Sequence, residues 1–416
     1  MNKNSLLIEN ASQILTMNSD DTNDVGLIEN GYIYTEDDVI KAIGSKEEVK
    51  KHIGDLNSVT IIDGKGKIVL PGFVDCHTHA AFGGSRVSEY SLKLTDENPD
   101  ALKKLGKTGL YGTVDATNKL SEKELENQTY KRIFNMMATG TTTIEIKSGY
   151  GLSTKSEIKM LKVIKSLGER LPMDIYSTFL GAHYWPENMS KEKYIDILVN
   201  EMIPQVAELK LAKYSDIWCD DGYYTKNECE KVLSCGRDCG LIPRIHTDCY
   251  SYIGGSDLAC DMQMASADHL NYTPNDVFKK LSNANVIGVV VAGTDFAVKH
   301  PKPFNPRPMF EAGMKLALAT NCNPGVWAES MQFILILACR LHGFTPEEAI
   351  RAATLGGALA LGLNDRGILD KGKKADMQIW NLDTYQDIVY KFGFNHVQTV
   401  IKDGKVIVSN NIIKGA

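Results

Sequence analysis

The stretch Ile68-Val69-Leu70-Pro71-Gly72-Phe73-Val74-Asp75-Cys76-His77-Thr78-His79 decides how this chain is read. An apolar run with β-forming residues passes a Pro-Gly break and ends in two histidines. In extended backbone, residues i and i+2 point to the same side, so His77 and His79 form a pair. Two imidazoles placed this way can grip one metal ion at ~2.0–2.1 Å from each nitrogen. An H-x-H pattern alone is weak, and its plain alternative is two surface histidines in a loop. Its place at the C-terminal end of a strand gives it weight, because the active sites of barrel enzymes gather there.

Outward from this stretch the chain alternates between strand-like and helical patterns. Strand candidates are 68–74, 142–146, 174–178, 215–218, 242–245, 265–267, 286–291 and 315–319. Helical periodicity covers 156–167, 191–209, 227–239, 274–284 and 330–341, and Thr345-Pro346-Glu347-Glu348 is a capping box opening another helix. Eight alternations between residues 67 and 365 predict a (β/α)8 TIM-like barrel. An open doubly wound sheet is the rival, but no G-x-G-x-x-G follows an early strand. Residues 1–66 and 366–416 read instead as short strands and turns. Candidates there are 6–9, 14–17, 31–35, 59–63, 372–380 and 397–408, with turn chemistry at Glu29-Asn30-Gly31, Asp63-Gly64-Lys65-Gly66 and Asp403-Gly404. Neither end can bury much alone, so the two are expected to meet as one composite β-domain.

Composition narrows the function. The 416 residues are 43% hydrophobic and 24% charged, which allows a large core and rules out wholesale disorder. A formal net charge of −6 argues against nucleic acid as partner. No apolar run reaches the ~18 residues of a membrane span. The opening residues lack the apolar stretch of a secretory signal, and the nine cysteines are scattered without a C-x-x-C pair. Reduced thiols in a cytoplasmic protein are therefore expected.

A third imidazole is needed for a metal site. His246 follows the strand candidate at 242–245, His269 the one at 265–267, and His183 the one at 174–178. Each alone is explained by a hydrogen-bonded structural role. Five of nine histidines just past barrel strands are explained poorly that way. His52, His300, His342 and His396 lack such placement and are assigned structural roles.

His77-Thr78-His79, Lys147-Ser148-Gly149-Tyr150-Gly151, Gly181-Ala182-His183 and Ala319-Thr320-Asn321-Cys322-Asn323-Pro324-Gly325 resemble the amidohydrolase superfamily, and within it the imidazolonepropionase family. Phe82-Gly83-Gly84-Ser85-Arg86 and Glu145-Ile146-Lys147-Ser148-Gly149-Tyr150-Gly151 are the most diagnostic stretches. The likeness covers nearly the whole chain. It implies a metal-bearing barrel, a small β-sandwich from both chain ends, and hydrolysis of a cyclic amide C–N bond. For that family the reaction opens 4-imidazolone-5-propanoate to N-formimino-L-glutamate in histidine degradation. The resemblance implies a homodimer, one divalent ion held by His77, His79 and His246, and a small carboxylated heterocycle as partner. It also implies that Arg86 meets the substrate carboxylate, with Tyr150, His183, Asn323 and the backbone of Gly325 as further substrate contacts. Imidazoles plus oxygen suit zinc or iron, with manganese or nickel as alternatives.

Three positions depart from the family pattern. Asn321 stands where the family has a metal-binding Asp that takes a proton; an amide can offer its oxygen to a metal but accepts no proton at neutral pH. Cys249 replaces a Glu or Gln beside the substrate, and Val326 a small polar residue. The proton acceptor is then expected to be His269, with Asp295 as runner-up and Asp248 behind it. Cys249 reads as an apolar filler, or else as a soft ligand or nucleophile. Two other functions follow from these departures: an amidohydrolase for a modified or sulfur-bearing carboxylated ring, and a catalytically impaired ligand-binding homologue.

Overall fold

The computed structural model describes residues 4–95, 99–410 and 412–413. Eight parallel strands form the central sheet: β1 (Phe73–Asp75), β2 (Thr141–Lys147), β3 (Asp174–Ala182), β4 (Tyr214–Cys219), β5 (Ile245–Thr247), β6 (Ser266–His269), β7 (Ile287–Val290) and β8 (Leu316–Leu318). Each pairs in parallel with the next, as the eight strand candidates predict. A two-residue strand, Ile242–Pro243, pairs beside β4. All seven residues of β2 and all four of β7 are buried. Burial on both faces is why such strands read as continuous runs and not as alternations.

β1 and β8 share no ladder. The gap between them is bridged by the carboxylate of Asp75, which accepts from Thr320 N at 3.1 Å and Thr320 Oγ1 at 2.6 Å. Just past the strand ends, Asn321 N donates to His77 O (3.1 Å) and His79 N to Cys322 O (2.9 Å). These bonds tie the loop carrying the histidine pair to the loop carrying Asn321. A helical segment running from Ala352–Gly356 into Gly357–Ala360 packs against both strands. A methyl group on Gly356 would lie 2.1 Å from Leu316 O, and one on Gly357 2.1 Å from Val74 O.

The nine-stranded second sheet combines both chain ends. Ser5–Leu15, Leu27–Glu36, Val39–Gly44, Val59–Asp63 and Ile68–Pro71 come from the start; Met377–Trp380, Val397–Lys402, Lys405–Ser409 and Ile412–Ile413 come from the end. Ile68–Pro71 joins them, parallel to Ser5–Leu15 and antiparallel to Met377–Trp380. The single strand expected at 68–74 is therefore two. Ile68–Pro71 belongs to the terminal sheet, and only Phe73–Asp75 enters the barrel. Gly72 is the joint: a Cβ there would stand 2.2 Å from Thr142 Oγ1.

Two other expectations are corrected. Glu29-Asn30-Gly31 is not a turn but the interior of Leu27–Glu36, where Asn30 takes φ 51° beside an irregularity in the ladder with Ser5–Leu15. Asn does tolerate positive φ here, and a bulge uses that tolerance as readily as a turn. The helix expected at 191–209 is Lys191–Ile197 and Ile203–Glu208 joined through a π-helical turn at Leu198–Met202. The hairpin at Asp403-Gly404 is present, with φ of 49° and 71° suited to a two-residue turn. Among the described residues no helix is long and apolar enough to cross a membrane.

The β1–β8 closure predicts the effect of filling it. Gly357→Ala must displace backbone, and overpacking of this kind costs about 1–3 kcal/mol or more. Chemical denaturation should show that loss, whereas Gly362→Ala, with open space around it and a positive φ, should lose only the backbone-strain contribution. An unchanged midpoint for Gly357→Ala would mean that the helix does not seal the barrel.

Candidate active site

At the C-terminal ends of the strands lies a cavity of about 250 Å³. Its wall includes His79, Arg86, Tyr150, His183, His246, Cys249, His269, Asn321, Asn323 and Gly325, ten of the residues singled out from sequence. His77 is fully buried beside it, with its ring centroid 4.5 Å from that of His246 and 5.6 Å from that of His269. Among the described residues, His77, His246 and His269 present one nitrogen each within 4.8 Å of one another. His79 approaches from the other side, its Nε2 at 3.3 Å from His246 Nε2.

A layer of buried charge anchors these rings. His77 Nδ1 donates to Asp268 Oδ2 at 2.6 Å, and His246 Nδ1 to Asp216 Oδ1 at 3.1 Å. Lys147 Nζ lies 2.8 Å from Asp216 and 3.0 Å from Glu145. Arg244 Nη2 lies 3.1 Å from Asp268 and also bonds Cys76 O at 2.8 Å. All five charged side chains are inaccessible to solvent. Burial and the nearby Arg244 push the Lys147 ammonium down, but Asp216, Glu145 and Asp268 outweigh both and hold it above its ordinary value. Burial likewise raises Asp216, yet His246 and Lys147 override this and hold it well below the usual carboxylate range. Three carboxylates against two cations leave one negative charge in excess.

This arrangement fixes the tautomers. With Nδ1–H committed to a carboxylate, His77 and His246 turn a bare Nε2 away from the layer, an orientation shared by metal-binding histidines. His77 Nε2 is buried without a partner, and so are His79 Nδ1 and Asn321 Oδ1. Burial pushes His77, His79 and His269 well below the ordinary imidazole value, and His183 down to about 3. The rings are therefore neutral, the form that binds metal. Two nitrogens bound at ~2.0–2.1 Å to one tetrahedral cation stand about 3.3–3.4 Å apart, which the His79–His246 separation matches. The donor set fits one divalent ion.

The remaining predicted residues fall into two groups. Tyr150 is delivered by a loop whose N–H groups at Gly149, Gly151 and Leu152 all bond the Glu157 carboxylate, at 2.7–2.9 Å. Arg86 spends Nε on Thr113 Oγ1 (3.0 Å), and among the described residues no carboxylate lies within ion-pair distance of its guanidinium. His183 stacks over Trp218 and meets Gly149 O through Nδ1. Asn323, by contrast, uses both polar atoms within its own turn: Oδ1 accepts from Gly325 N and Val326 N, and Nδ2 donates to Asn321 O. The Gly325 N–H is thereby occupied too. Asp295 does not line the cavity; its carboxylate binds Asn271 Nδ2 and Phe304 N. Asp248 is held by Thr247 and Thr273 hydroxyls. Burial, with Asp220 and Asp248 nearby, pushes the Cys249 thiol well above its ordinary value, so it is a neutral wall and not a thiolate.

Several functional neighbours escaped the sequence reading. His300, assigned a structural role, lines the cavity; its Nε2 donates to Cys249 O at 2.9 Å, so it does shape that wall. Trp218 and Tyr223, stacked at 3.8 Å, line it as well. Asp216, Glu145 and Lys147 could have been found as charges inside otherwise apolar strands. The backbone adds its own signature: Asp248, His269, Leu270 and Asn321 have φ of 56°, 86°, 64° and 47°. Such conformations in non-glycine residues cost free energy and cluster at functional sites.

Comparison with known proteins gives the following. A model of the amidohydrolase family matches residues 275–407. An imidazolonepropionase of Geobacillus kaustophilus is 39% identical over 392 residues, covering 93% of this chain and 92% of its own. One from Alkaliphilus metalliredigens is 40% identical over 418 residues, covering 97% and 98%. Among solved structures, a zinc complex of atrazine chlorohydrolase from Arthrobacter aurescens matches with TM-score 0.70 at 15% identity, covering 99% of this chain and 97% of its own. An ochratoxinase of A. niger matches with TM-score 0.71 at 17% identity, covering 98% and 96%.

The charge layer sets a stability prediction. Lys147→Met leaves three buried carboxylates facing Arg244 alone. Removing one partner of a buried charge set costs about 3–5 kcal/mol. Denaturant unfolding should show a loss of this size, and a stable Lys147→Met protein would mean that the carboxylates are not ionised.

Proposed function

Because the chain belongs to the imidazolonepropionase family of amidohydrolases, we propose that its cavity opens the ring C–N bond of a carboxylated cyclic amide, with 4-imidazolone-5-propanoate as substrate. The observation that carries this reading is the pair of imidazoles tied through Nδ1 to Asp268 and Asp216, with His77 Nε2 buried without a partner and His246 Nε2 facing His79 Nε2 at 3.3 Å. His77, His79 and His246 hold a divalent ion, zinc or iron, and Asn321 offers it a neutral oxygen. Such an ion supplies Lewis acidity, polarising a ring carbonyl and making a water easier to deprotonate.

The chain's own residues do the rest. Arg86 stands at the cavity wall with its terminal nitrogens open to a carboxylate, which a planar guanidinium can meet with two parallel bonds. Tyr150, His183 and the Trp218–Tyr223 stack enclose the ring. His269 takes the proton that Asn321 cannot: it is neutral, lines the cavity, and lies 5.4 Å from His246 between ring centroids. Asp295 and Asp248 are spent on structural bonds. The amide at 321 also favours a second reading, a homologue that binds such a ring without turning it over.

The test is metal analysis of the purified protein followed by assay with 4-imidazolone-5-propanoate. About one metal per chain and ring opening are expected. Metal without turnover would move the reading to another carboxylated heterocycle or to the binding protein, and absence of both would sink it. His269→Ala should keep its metal and lose about 10²–10⁴-fold in kcat. Loss of the metal instead would make His269 a ligand, as its nearness to His77 and His246 also allows. Arg86→Ala should raise KM for the carboxylated substrate far more than for an amide-capped analogue, and equal effects would remove Arg86 from recognition.

A further inference from the structure

The side chain of Asn321 is held from one side only. Its Nδ2 donates to Thr294 Oγ1 at 2.9 Å, while Oδ1 is buried and has no partner. Thr294 lies in the short helix Ala292–Val298 and lines the same cavity as His79, His246 and His269. An amide has two faces of opposite polarity, and its orientation is settled by its bonds. With nitrogen toward Thr294, the oxygen is presented to the imidazoles as an acceptor. Turned over, the amide would point two N–H bonds at them and repel a cation.

We infer that Thr294 is a positioning residue for the metal site: its hydroxyl accepts the Asn321 N–H and so anchors the side chain with Oδ1 turned to the imidazoles as a neutral oxygen ligand. The inference rests on the reading that this site holds a divalent ion.

The experiment measures zinc affinity of the refilled apoprotein by competition with a chromogenic chelator, without any assay of turnover. Loss of an outer-shell partner of a metal ligand typically costs about 10–100-fold in affinity. Thr294→Val, which keeps the shape and removes the acceptor, should weaken zinc binding by that factor. Thr294→Ser should stay within about threefold of wild type. Circular dichroism of the apoproteins checks that each variant is folded; Thr294→Val is nearly isosteric, and Thr294→Ser supplies the rescue. Zinc affinity indifferent to Thr294→Val overturns the inference and leaves the proposed function standing. An equal loss in Thr294→Ser and Thr294→Val also overturns it, because Thr294 would then act through packing and not through its hydroxyl. A wild-type chain that takes up no zinc, iron or manganese removes the metal reading and this inference with it.

Discussion

Three carboxylates and two cations share the interior of the barrel beneath the histidines, and the geometry of the site depends on their mutual neutralisation. Isolated, each would cost several kcal/mol to bury. Together, Glu145 and Lys147 of β2, Asp216 of β4, Arg244 beside β5 and Asp268 of β6 form a contiguous set, with Lys147 reaching two carboxylates and Arg244 a third. The set couples non-adjacent strands across the barrel, which backbone ladders cannot do. It also dictates which ring nitrogen of His77 and of His246 carries hydrogen. The stability of the fold and the chemistry at its mouth thus share the same side chains.

Above this layer the loops are fixed by local devices. Glu157 gathers three backbone N–H groups of the loop that carries Tyr150. Arg132 bonds Ala80 O and Phe82 O while its guanidinium lies 3.6 Å over the Phe82 ring, which sets the path of the chain toward Arg86. Asn323 folds the turn that follows Asn321. Asn323 therefore shapes the loop beside the cavity, an arrangement that its presence in a motif does not distinguish from direct contact with a ligand.

The barrel was legible because its strands are buried on both faces and so appear as short apolar runs, each followed by a helical period. The histidine pair was legible because alternation in extended chain puts both rings on one side. Other features depend on pairing between distant segments, which one sequence does not display. The run 68–74 looks uniform, and only the close approach of Thr142 at Gly72 divides it between two sheets. Asp295 and Asp268 both sit just before or within the barrel mouth in sequence. One binds Asn271 and Phe304, the other a histidine, and partners that close only on folding decide which serves the site. His300 gave no such signal because it follows a helix and not a strand; its link to Cys249 spans 51 positions.

Charge balance connects Asn321 to the kind of ligand the site accepts. The buried layer carries one excess negative charge, and burial holds His77, His79 and His269 above it neutral. A divalent ion held in the proposed site by neutral imidazoles and a neutral amide would leave one positive charge over the layer. A carboxylate at 321 would cancel it within the protein itself. With the amide, the compensating charge would come from an ionised water or from a bound anion, and the open guanidinium of Arg86 would add to the demand. Uncompensated charge in a low-dielectric pocket is costly, so a metal-loaded pocket of this kind would favour ligands that bring negative charge with them. In the proposed site an amide at 321 would thus be weaker as a proton acceptor and stronger as part of an anion receptor.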